Sequence, residues 1–296
     1  MSEGNEPEVE RLKQSFNKAL NRHGYGFQYS VLRKAWDLSG QASRWLFKAA
    51  EFPVEVQGAG TRIDFILSRI SDHRYKGGFY LVAECKRANP ALSNWCFARA
   101  PFVHEDRVYG HGGYDPLILE YAEIDEQGSV LAYAKQKSKL EHPYHVAVEV
   151  RSEAKGEPSG ESGKAIEDAA TQVSRGLNGL IEFVRKTPHF LKEEREAYFL
   201  PVVFTTARIW TTDADLASAQ IETGHVDLGN SRFSERPWVA YQYHLSPGLK
   251  HAASPADRTG SLTELMDSEY VRTIAVVNAS GVEEFLRWSS EIDLRW

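Results

Sequence analysis

Three charged residues lie inside two of the most apolar segments of the chain. Asp64 interrupts the run Thr-Arg-Ile-Asp-Phe-Ile-Leu, and Glu84 and Lys86 close the run Phe-Tyr-Leu-Val-Ala-Glu-Cys-Lys. Burying an uncompensated charge costs several kcal/mol, so something must compensate these groups. A metal ion is the leading candidate, because carboxylate oxygens bind hard cations. The pattern therefore predicts a metal site built from two carboxylates with an ammonium group beside them.

The spacing predicts how a β-sheet would arrange these residues, because side chains two apart along a strand share a face. Glu84 and Lys86 share one face of their strand, and Cys85 points to the other. If the two runs pair as a hairpin through the polar link 68–78, Asp64 lies beside Glu84. In the first run Arg62, Asp64 and Ile66 share one face, which is predicted to be the polar face. The opposite face is predicted to point to the core and carries Ile63, Phe65 and Leu67.

This arrangement resembles the PD-(D/E)xK nuclease superfamily. In that superfamily an Asp near one strand and a Glu-x-Lys on the next hold a divalent metal at a scissile phosphodiester. Asp64, Glu84 and Lys86 match the pattern, and Ile63 stands where the motif is named for Pro. A second Glu-x-Lys at 153–155 opens a stretch rich in Gly and Ser, which predicts a loop there.

The resemblance implies a function as well as a fold. It implies a Mg²⁺- or Mn²⁺-dependent endodeoxyribonuclease, restriction-like or defence-like, that acts on double-stranded DNA and leaves 5'-phosphate and 3'-hydroxyl ends. Asp64 and Glu84 would bind the metal, and Lys86 would orient or help to deprotonate the attacking water. The sequence leaves open whether the substrate is DNA or RNA and whether a homodimer cuts both strands.

Three further residues are candidates for an accessory role. The superfamily often has another acid on the helix before the first strand; Gln28 stands where some relatives carry it, and Glu51 lies at the edge of the first strand. For both residues a surface or helix-packing role is at least as compatible with the sequence. Gln172, on the helix after the Glu-x-Lys strand, resembles a glutamine of the RecB-like branch, although the tyrosine expected four residues later is Gly176.

The order of elements predicts an α/β fold with a restriction-endonuclease-like core, in which helices flank a central mixed β-sheet. Apolar residues three and four apart predict a helix over 164–186. The predicted core strands are 52–56, 61–67, 79–86 and 199–206. We predict an N-terminal helical segment 1–50, with helices at 9–20, 27–38 and 43–50, that packs on a core 51–211 with a large insertion 87–163. A C-terminal α/β extension 212–296 would belong to the same domain.

The insertion and the extension contain their own predicted elements. Asn89-Pro90 is typical of a helix start, with an N-cap followed by proline in the first turn. The remaining predictions are a hairpin of 117–124 with 130–134 and strands at 145–150, 238–244 and 271–277. Ser280 and Glu283 form a capping-box pattern that predicts a helix through Trp288.

Positive charge is sparse around the predicted site. The net charge is -6, whereas proteins that bind nucleic acid usually carry a basic surface. The candidate phosphate contacts are Arg74 and Lys76 at the hairpin tip and Arg87 beyond the site, although the sequence favours a solvated tip for the first two.

A glycine-rich stretch offers a zinc site as an alternative metal centre. Its ligands would be His104, Glu105, His111 and Asp115. There is no cysteine pair nearby and no helical His spacing, so the sequence favours an irregular loop.

The composition limits the class of protein. The chain has 296 residues, of which 42% are hydrophobic, so it can bury a sizeable core. Its two cysteines fit a reducing cytoplasm better than a disulfide framework. No run approaches the ~20 apolar residues that a membrane span needs. We therefore expect a cytoplasmic protein that does not act at a membrane.

Two interpretations compete with catalysis. The charged residues could form a buried network in which Arg62 and Lys86 compensate Asp64 and Glu84 and only stabilise the sheet. Buried ion pairs seldom improve on an apolar core, which favours a functional reason for them. Alternatively, a nuclease-like fold could serve as a nucleic-acid or protein binding module without turnover, although the presence of all three residues speaks against this.

Overall fold

Two mixed β-sheets flanked by helices form the protein, which is therefore of the α/β class. The structure is a computed structural model that describes residues 6–22, 24–40, 42–69, 77–101, 119–124, 130–136, 143–150, 164–187, 196–249 and 270–292. The helices in these residues are α1 (Glu6–Arg22), α2 (Tyr25–Leu38), α3 (Lys164–Lys186) and α4 (Val282–Ser290). None of them is long and apolar enough to cross a membrane.

The second and third of the described strands contain the segments in which Asp64, Glu84 and Lys86 were predicted to lie. The strands are β1 (Trp45–Val56), β2 (Ala59–Arg69), β3 (Gly77–Lys86), β4 (Asn94–Ala98), β5 (Leu119–Ile124), β6 (Val130–Gln136), β7 (Val146–Val150), β8 (Glu196–Thr205), β9 (Arg208–Thr212), β10 (Phe233–Arg236), β11 (Trp238–His244) and β12 (Val271–Asn278). Short 3-10 turns lie at Pro90–Leu92, Leu216–Ser218, Pro247–Leu249 and Ala279–Gly281.

The larger sheet has the order β1-β2-β3-β8-β12-β11, and the β5-β6 hairpin joins it through β8. β1, β2 and β3 form an antiparallel meander. β3 pairs with β8 in parallel along its full length, from Gly77↔Glu196 to Lys86↔Thr205. β12 is also parallel to β8, and β11 closes that end antiparallel to β12. The C-terminal strands therefore extend the sheet that contains β3.

The smaller sheet has the order β10-β9-β4-β7. β4 comes soon after β3 in the chain and β9 soon after β8, and β4 and β9 pair in parallel just as β3 and β8 do. The chain therefore leaves the larger sheet after β3 and again after β8, and both times it continues into the smaller sheet. Glu84 and Lys86 lie at the end of β3, where the chain leaves the larger sheet.

Helices cover both faces of the larger sheet. On one face, α3 packs on β1, β2, β3 and β8 through a cluster that includes Val54, Ile63, Ile66, Val82, Leu177, Leu180, Ile181 and Phe199. On the other face, α2 and α4 pack through a cluster that includes Val31, Ala35, Phe65, Leu67, Leu81, Phe204, Phe285 and Leu286. The fully buried Arg272 of β12 also donates to the Ser174 carbonyl and the Asn178 amide oxygen of α3, each at 2.9 Å.

The alternation predicted for β2 is wrong on one side of Asp64. Ile63 packs with Ile66 in the α3-facing cluster, whereas Phe65 and Leu67 pack in the opposite cluster. Ile66, predicted to share the polar face, is fully buried. Ile66 is buried because helices cover both faces of the sheet, and Ile63 lies on the face opposite Phe65 because the strand shifts its alternation at Asp64.

Two local predictions are also wrong. Residues 43–50 are not helical, because β1 begins at Trp45 and pairs with β2. Ser280 and Glu283 do not form a capping box. Instead the Asn278 side chain accepts from the Ser280 N–H at 2.8 Å and caps a 3-10 turn, and α4 begins only at Val282 without a side-chain cap.

The other predicted elements that fall on described residues are confirmed. The hairpin of β5 and β6, the strands β7, β11 and β12, and helix α3 all form where the sequence predicts them. At Asn89-Pro90 the expected cap is present, since the Asn89 amide oxygen accepts from the Ala91 N–H at 3.0 Å, but the helix is a single 3-10 turn. The predicted loop at 153–155 lies outside the described residues.

The contact between α3 and β1 predicts an unusual effect of Gly179→Ala. A Cβ at Gly179 would lie 2.6 Å from the Val54 Cβ, which is too close. Although Ala favours helices, we expect the free energy of unfolding in urea to fall by about 1–3 kcal/mol, because α3 must move away from β1. The control is Gly26→Ala in α2, where no described atom lies within 4 Å of the added carbon. It should raise the free energy of unfolding by up to about 1 kcal/mol. Equal effects of the two substitutions would contradict this packing.

Candidate functional site

The end of β3 is held firmly by its parallel neighbour. Glu84, Cys85 and Lys86 are in register with Val203, Phe204 and Thr205 of β8. Residues 79–83 immediately before them are buried at the centre of the sheet. The backbone that carries Glu84 and Lys86 is therefore rigid, which is what a precisely positioned site requires.

On its other side β3 separates from β2 where the charged residues begin. The β2–β3 ladder runs from Ser68↔Tyr80 to Phe65↔Ala83. Beyond it, the Cys85 backbone N–H donates to the Asp64 Oδ2 at 2.6 Å. The Asp64 carboxylate therefore lies between the two strands and takes a backbone hydrogen bond that a carbonyl would otherwise accept.

Glu51 adds a third carboxylate at the same level. It lies opposite Asp64, because the β1–β2 register pairs Ala50 with Phe65 and Phe52 with Ile63. Its backbone has φ 49, a left-handed conformation that is rare for a residue with a side chain. Such a conformation costs on the order of 1–3 kcal/mol and is common at functional sites.

Gln28 of α2 connects these two acidic residues. Its Nε2 donates to the Glu51 Oε1 at 2.7 Å and to the Asp64 backbone carbonyl at 3.1 Å, and the side chain is 4% exposed. Both neighbours are acceptors, which assigns the amide nitrogen to this side. The buried amide therefore holds the Glu51 carboxylate and the backbone of Asp64 in one arrangement.

These side chains surround one open, mainly polar cavity of about 330 Å³. Its lining comes from the end of β3, from β1 and β2, from the beginning of α2 and from α3. The lining residues are Gly24, Tyr25, Gln28, Glu51, Asp64, Glu84, Cys85, Lys86, Arg87 and Gln172.

The carboxyl groups in the cavity are poorly compensated. Burial is the main cause that raises the pKa of Glu84 to about 8, and the neighbouring charge of Asp64 raises it further. Burial also raises the pKa of Asp64 to about 6, although the hydrogen bond from Cys85 opposes this. The Glu51 charge acts in the same direction on both groups, and the Lys86 charge acts against it. Near neutral pH Glu84 thus keeps its proton while the Asp64 carboxyl is mostly ionised, because the site does not support both charges side by side.

The remaining polar groups at the site have distinct surroundings. The Cys85 thiol has its pKa raised well above its ordinary value by burial and by the two adjacent carboxylates, so it stays neutral and unreactive. Arg62 pairs with Glu51 at 3.6 Å, and its side chain is 69% exposed. The buried network in which Arg62 and Lys86 compensate Asp64 and Glu84 is therefore not what the structure has, because Arg62 lies in solvent beside Glu51.

The predicted site residues come together to a large extent. Asp64, Glu84, Lys86, Gln28, Glu51, Gln172 and Arg87 all line the cavity. Gln172 is an exposed residue of α3, and Arg87 donates through Nη1 to the Asn21 backbone carbonyl. Gln28 presents its amide nitrogen, not its oxygen, to the acidic pair. Arg74, Lys76 and the four candidate zinc ligands, His104, Glu105, His111 and Asp115, lie outside the described residues.

The donor set is suited to a hard cation. Within the described residues, no three His, Cys, Asp or Glu side chains form a ready group of metal ligands. Mg²⁺, however, is usually bound through one or two carboxylates and keeps several waters. Asp64 and Glu84 could supply two such oxygen ligands, and a bound cation would relieve the repulsion between them.

Three residues that line the cavity were not among the predicted site residues, namely Gly24, Tyr25 and Cys85. Gly24, with φ 77°, is the N-cap residue of α2, and Tyr25 is the first residue of this helix. The only local signal was the Gly-Tyr-Gly sequence at 24–26, which predicts a break between two helices but not its position beside the site.

Comparison of the chain with family models, with curated proteins and with solved structures found no match in any of the three.

The raised carboxyl pKa values predict how stability depends on pH in the presence of a chelator. Between about pH 4.5 and pH 8 the folded protein keeps a proton on Glu84 that the unfolded chain has released. Folded protein binds more protons there, so this group makes stability fall as the pH rises. Glu84→Gln removes the effect. We expect the gain in free energy of unfolding that this substitution produces to be larger at pH 8 than at pH 5 by about 3 kcal/mol.

The measurement is urea unfolding at the two pH values with EDTA. The matched control is Glu55→Gln, on an exposed glutamate of β1, whose effect should not change with pH. A Glu84→Gln effect that is the same at pH 5 and pH 8 would show that the Glu84 carboxyl is not desolvated.

Proposed function

We propose that this chain is a divalent-metal-dependent endonuclease of the PD-(D/E)xK superfamily, with a restriction-endonuclease-like core, that hydrolyses phosphodiester bonds of DNA. The observation that carries the proposal is that Asp64, Glu84 and Lys86 line one cavity at the end of a rigid central strand. Two desolvated carboxylates and a neighbouring ammonium group cost stability, as the raised pKa values indicate. Such a costly arrangement is typical of a catalytic site.

Asp64 and Glu84 would hold Mg²⁺ or Mn²⁺, with Glu51 close enough to add to their negative field. When bound, the ion would neutralise charge on the scissile phosphate and lower the pKa of the attacking water. The Cys85 N–H and the Gln28 amide would keep the acidic side chains in place before any ion arrives. This preorganisation reduces the cost of assembling the site around a phosphate.

Lys86 has a different role from the acids. Its charge lowers the pKa of both carboxyls, so its ammonium group lies close to them, beside the place where they would hold a metal ion. There it can donate a hydrogen bond, orient the water and stabilise negative charge that develops on the phosphate oxygens. Arg87 and the exposed Gln172 at the rim could contact the neighbouring backbone of the nucleic acid.

Cleavage of DNA tests the proposal directly. We expect supercoiled plasmid to be cut in Mg²⁺ or Mn²⁺ and left intact in EDTA. Lys86→Ala and Asp64→Asn should each lower the rate by at least ~100-fold, because each removes a group required in the transition state. Asp64→Asn keeps an oxygen that can accept the Cys85 N–H, so the fold should be preserved.

The controls are Lys186→Ala and Asp168→Asn, which change the same residue types at exposed positions of α3 and should leave the rate within twofold of the parent, or about 0.4 kcal/mol. If the protein forms a stable complex with DNA but cuts it neither in Mg²⁺ nor in Mn²⁺, the proposed nuclease activity is wrong and a binding module is supported. Cleavage that persists in Lys86→Ala would place the activity elsewhere.

Metal affinity should depend on pH through Glu84. Because its pKa is about 8 in the metal-free protein, binding of the ion must displace a proton over most of the neutral range. We expect the affinity for Mn²⁺ to rise up to about tenfold for each pH unit between 6 and 8. Calorimetric titration at three pH values measures it, with proton release read from buffers of different ionisation enthalpy. Affinity independent of pH, or unchanged by Asp64→Asn, would mean that the ion binds elsewhere.

A further inference from the structure

A second cavity, of about 200 Å³, lies where α3 meets two turns of the chain. One wall is the turn between β1 and β2, in which Gln57 and Gly58 both have positive φ, as tight two-residue hairpin turns require. Another wall is the 3-10 turn Pro247–Leu249, and α3 forms the third. The lining residues are Val56, Gln57, Ala59, Gly60, Thr61, Arg175, Ser246, Gly248 and Leu249.

Hydrogen bonds beneath the second cavity hold its walls together. The Asn178 amide nitrogen of α3 donates to the Leu249 carbonyl at 3.1 Å, and the Asn178 amide oxygen accepts from the buried Arg272 guanidinium at 2.9 Å. The Leu249 N–H donates to the Ser246 carbonyl at 2.7 Å and closes the 3-10 turn. The position of this turn relative to α3 is therefore fixed by the fold.

The second cavity is cationic, whereas the first is acidic. Among the described residues that line it, Arg175 is the only charged one, and Gln57, Thr61 and Ser246 supply the other polar side chains. The Arg175 side chain is exposed and forms no hydrogen bond or ion pair within the part of the chain that the structure describes. In a chain with a net charge of -6, a cavity with a cation and no acid from the described residues favours an anionic ligand.

The two cavities follow one another along β2 and α3, which pack on each other. Asp64 of β2 and Gln172 of α3 line the first cavity. Thr61 and Arg175, each three residues away on the same element, line the second. Three residues correspond to about 10 Å along a strand and about 4.5 Å along a helix. A ligand longer than this can therefore lie in both cavities at once.

We propose that the second cavity is a phosphate-binding subsite, in which Arg175 holds a backbone phosphate of the nucleic acid whose scissile phosphate lies at Asp64 and Glu84. The planar guanidinium can donate two parallel hydrogen bonds to phosphate oxygens. The hydroxyls of Thr61 and Ser246 can donate further ones. This subsite rests on the proposed nuclease function, because the nucleic acid supplies the phosphate.

The spacing of phosphates fits the separation of the two cavities. Phosphates follow one another at about 3.4 Å of axial rise along one strand of a duplex. Over the roughly 10 Å from Asp64 to Thr61, a strand therefore presents several phosphates beyond the scissile one. A contact with one of them positions the strand without reading its sequence.

Binding of a short DNA duplex tests the subsite without cleavage, in EDTA and in an Asp64→Asn background. We expect Arg175→Gln to raise the Kd about tenfold for every sequence and to lower the slope of log Kd against log salt by about one, because one phosphate contact is lost. The matched control is Arg287→Gln, on an exposed arginine of α4 that lines neither cavity. It should change the Kd by less than about twofold and leave the slope unchanged. Fluorescence anisotropy of a labelled duplex over a range of salt concentrations measures both quantities.

A second substitution reaches the cavity from the 3-10 turn. Ser246→Asp should raise the Kd at least as much as Arg175→Gln, because its carboxylate repels phosphate and neutralises the guanidinium. The control is Ser234→Asp, on an exposed serine of β10 that lines neither cavity, and it should have little effect. Thermal unfolding checks that each variant folds, which we expect because Arg175 and Ser246 are both exposed.

Inorganic phosphate distinguishes a backbone phosphate from a free one. Calorimetric titration of the parent chain and of Arg175→Gln with inorganic phosphate supplies this comparison. Phosphate that binds through Arg175, together with an affinity for DNA that Arg175→Gln does not change, would identify a site for free phosphate and overturn the proposal. An Arg175-dependent affinity and salt slope for DNA support it.

The outcome for the subsite can be separated from the outcome for the nuclease. DNA that binds in an Arg175-dependent way but is cut in neither metal ion would overturn the nuclease and leave the phosphate site standing. Cleavage that requires Lys86, with DNA binding unchanged in Arg175→Gln, would support the nuclease and overturn the subsite. Equal weakening by Arg287→Gln and Arg175→Gln would also overturn it, because overall charge would then explain the effect. A parent chain that does not bind DNA would overturn both proposals.

Discussion

The parallel pairing of β3 with β8 is the interaction on which the rest of the structure depends. It joins the first third of the chain to the last third over the whole length of β3, and both helical layers pack on the sheet that it creates. It also fixes the position of Glu84, which follows the buried part of β3 and lies at the edge of the cavity. The pairing thus determines both where the core lies and where the acidic groups must be desolvated.

The site costs stability in several ways at once. Glu51 adopts a left-handed backbone conformation inside a strand, and Asp64 and Glu84 are partly buried beside each other. Each of these features would be avoided by a sequence selected for stability alone. The Cys85 N–H, the Gln28 amide and the Lys86 charge offset part of the cost. A bound cation would offset much of the remainder, which links the cost of the site in stability to the activity that we propose.

Sequence patterns predicted most of the elements that surround the site, because those patterns are local. The apolar spacing of α3 and the alternation of β11 each report burial within a few residues, and both elements form where expected. Predictions failed where a distant contact overrode the local pattern. Residues 45–50 of the predicted helix 43–50 belong instead to β1, because β2 pairs with them, and Ser280 does not cap α4, because Asn278 caps a preceding turn. In β2, Ile66 is buried on the face predicted to be polar, because α3 covers that face of the sheet.

The sequence by itself determined that Asp64, Glu84 and Lys86 would be candidates, because charges within apolar strands are anomalous at the level of single residues and their spacing sets which face they share. Only the tertiary structure decided that Glu51 lies opposite Asp64, that Gln28 links them, and that Gly24 and Tyr25 form the rim. These relations join residues from separate elements, and no local pattern encodes the register or the helix position that brings them together. The raised carboxyl pKa values belong to the same class, since desolvation and mutual repulsion arise only once the fold has closed around the groups.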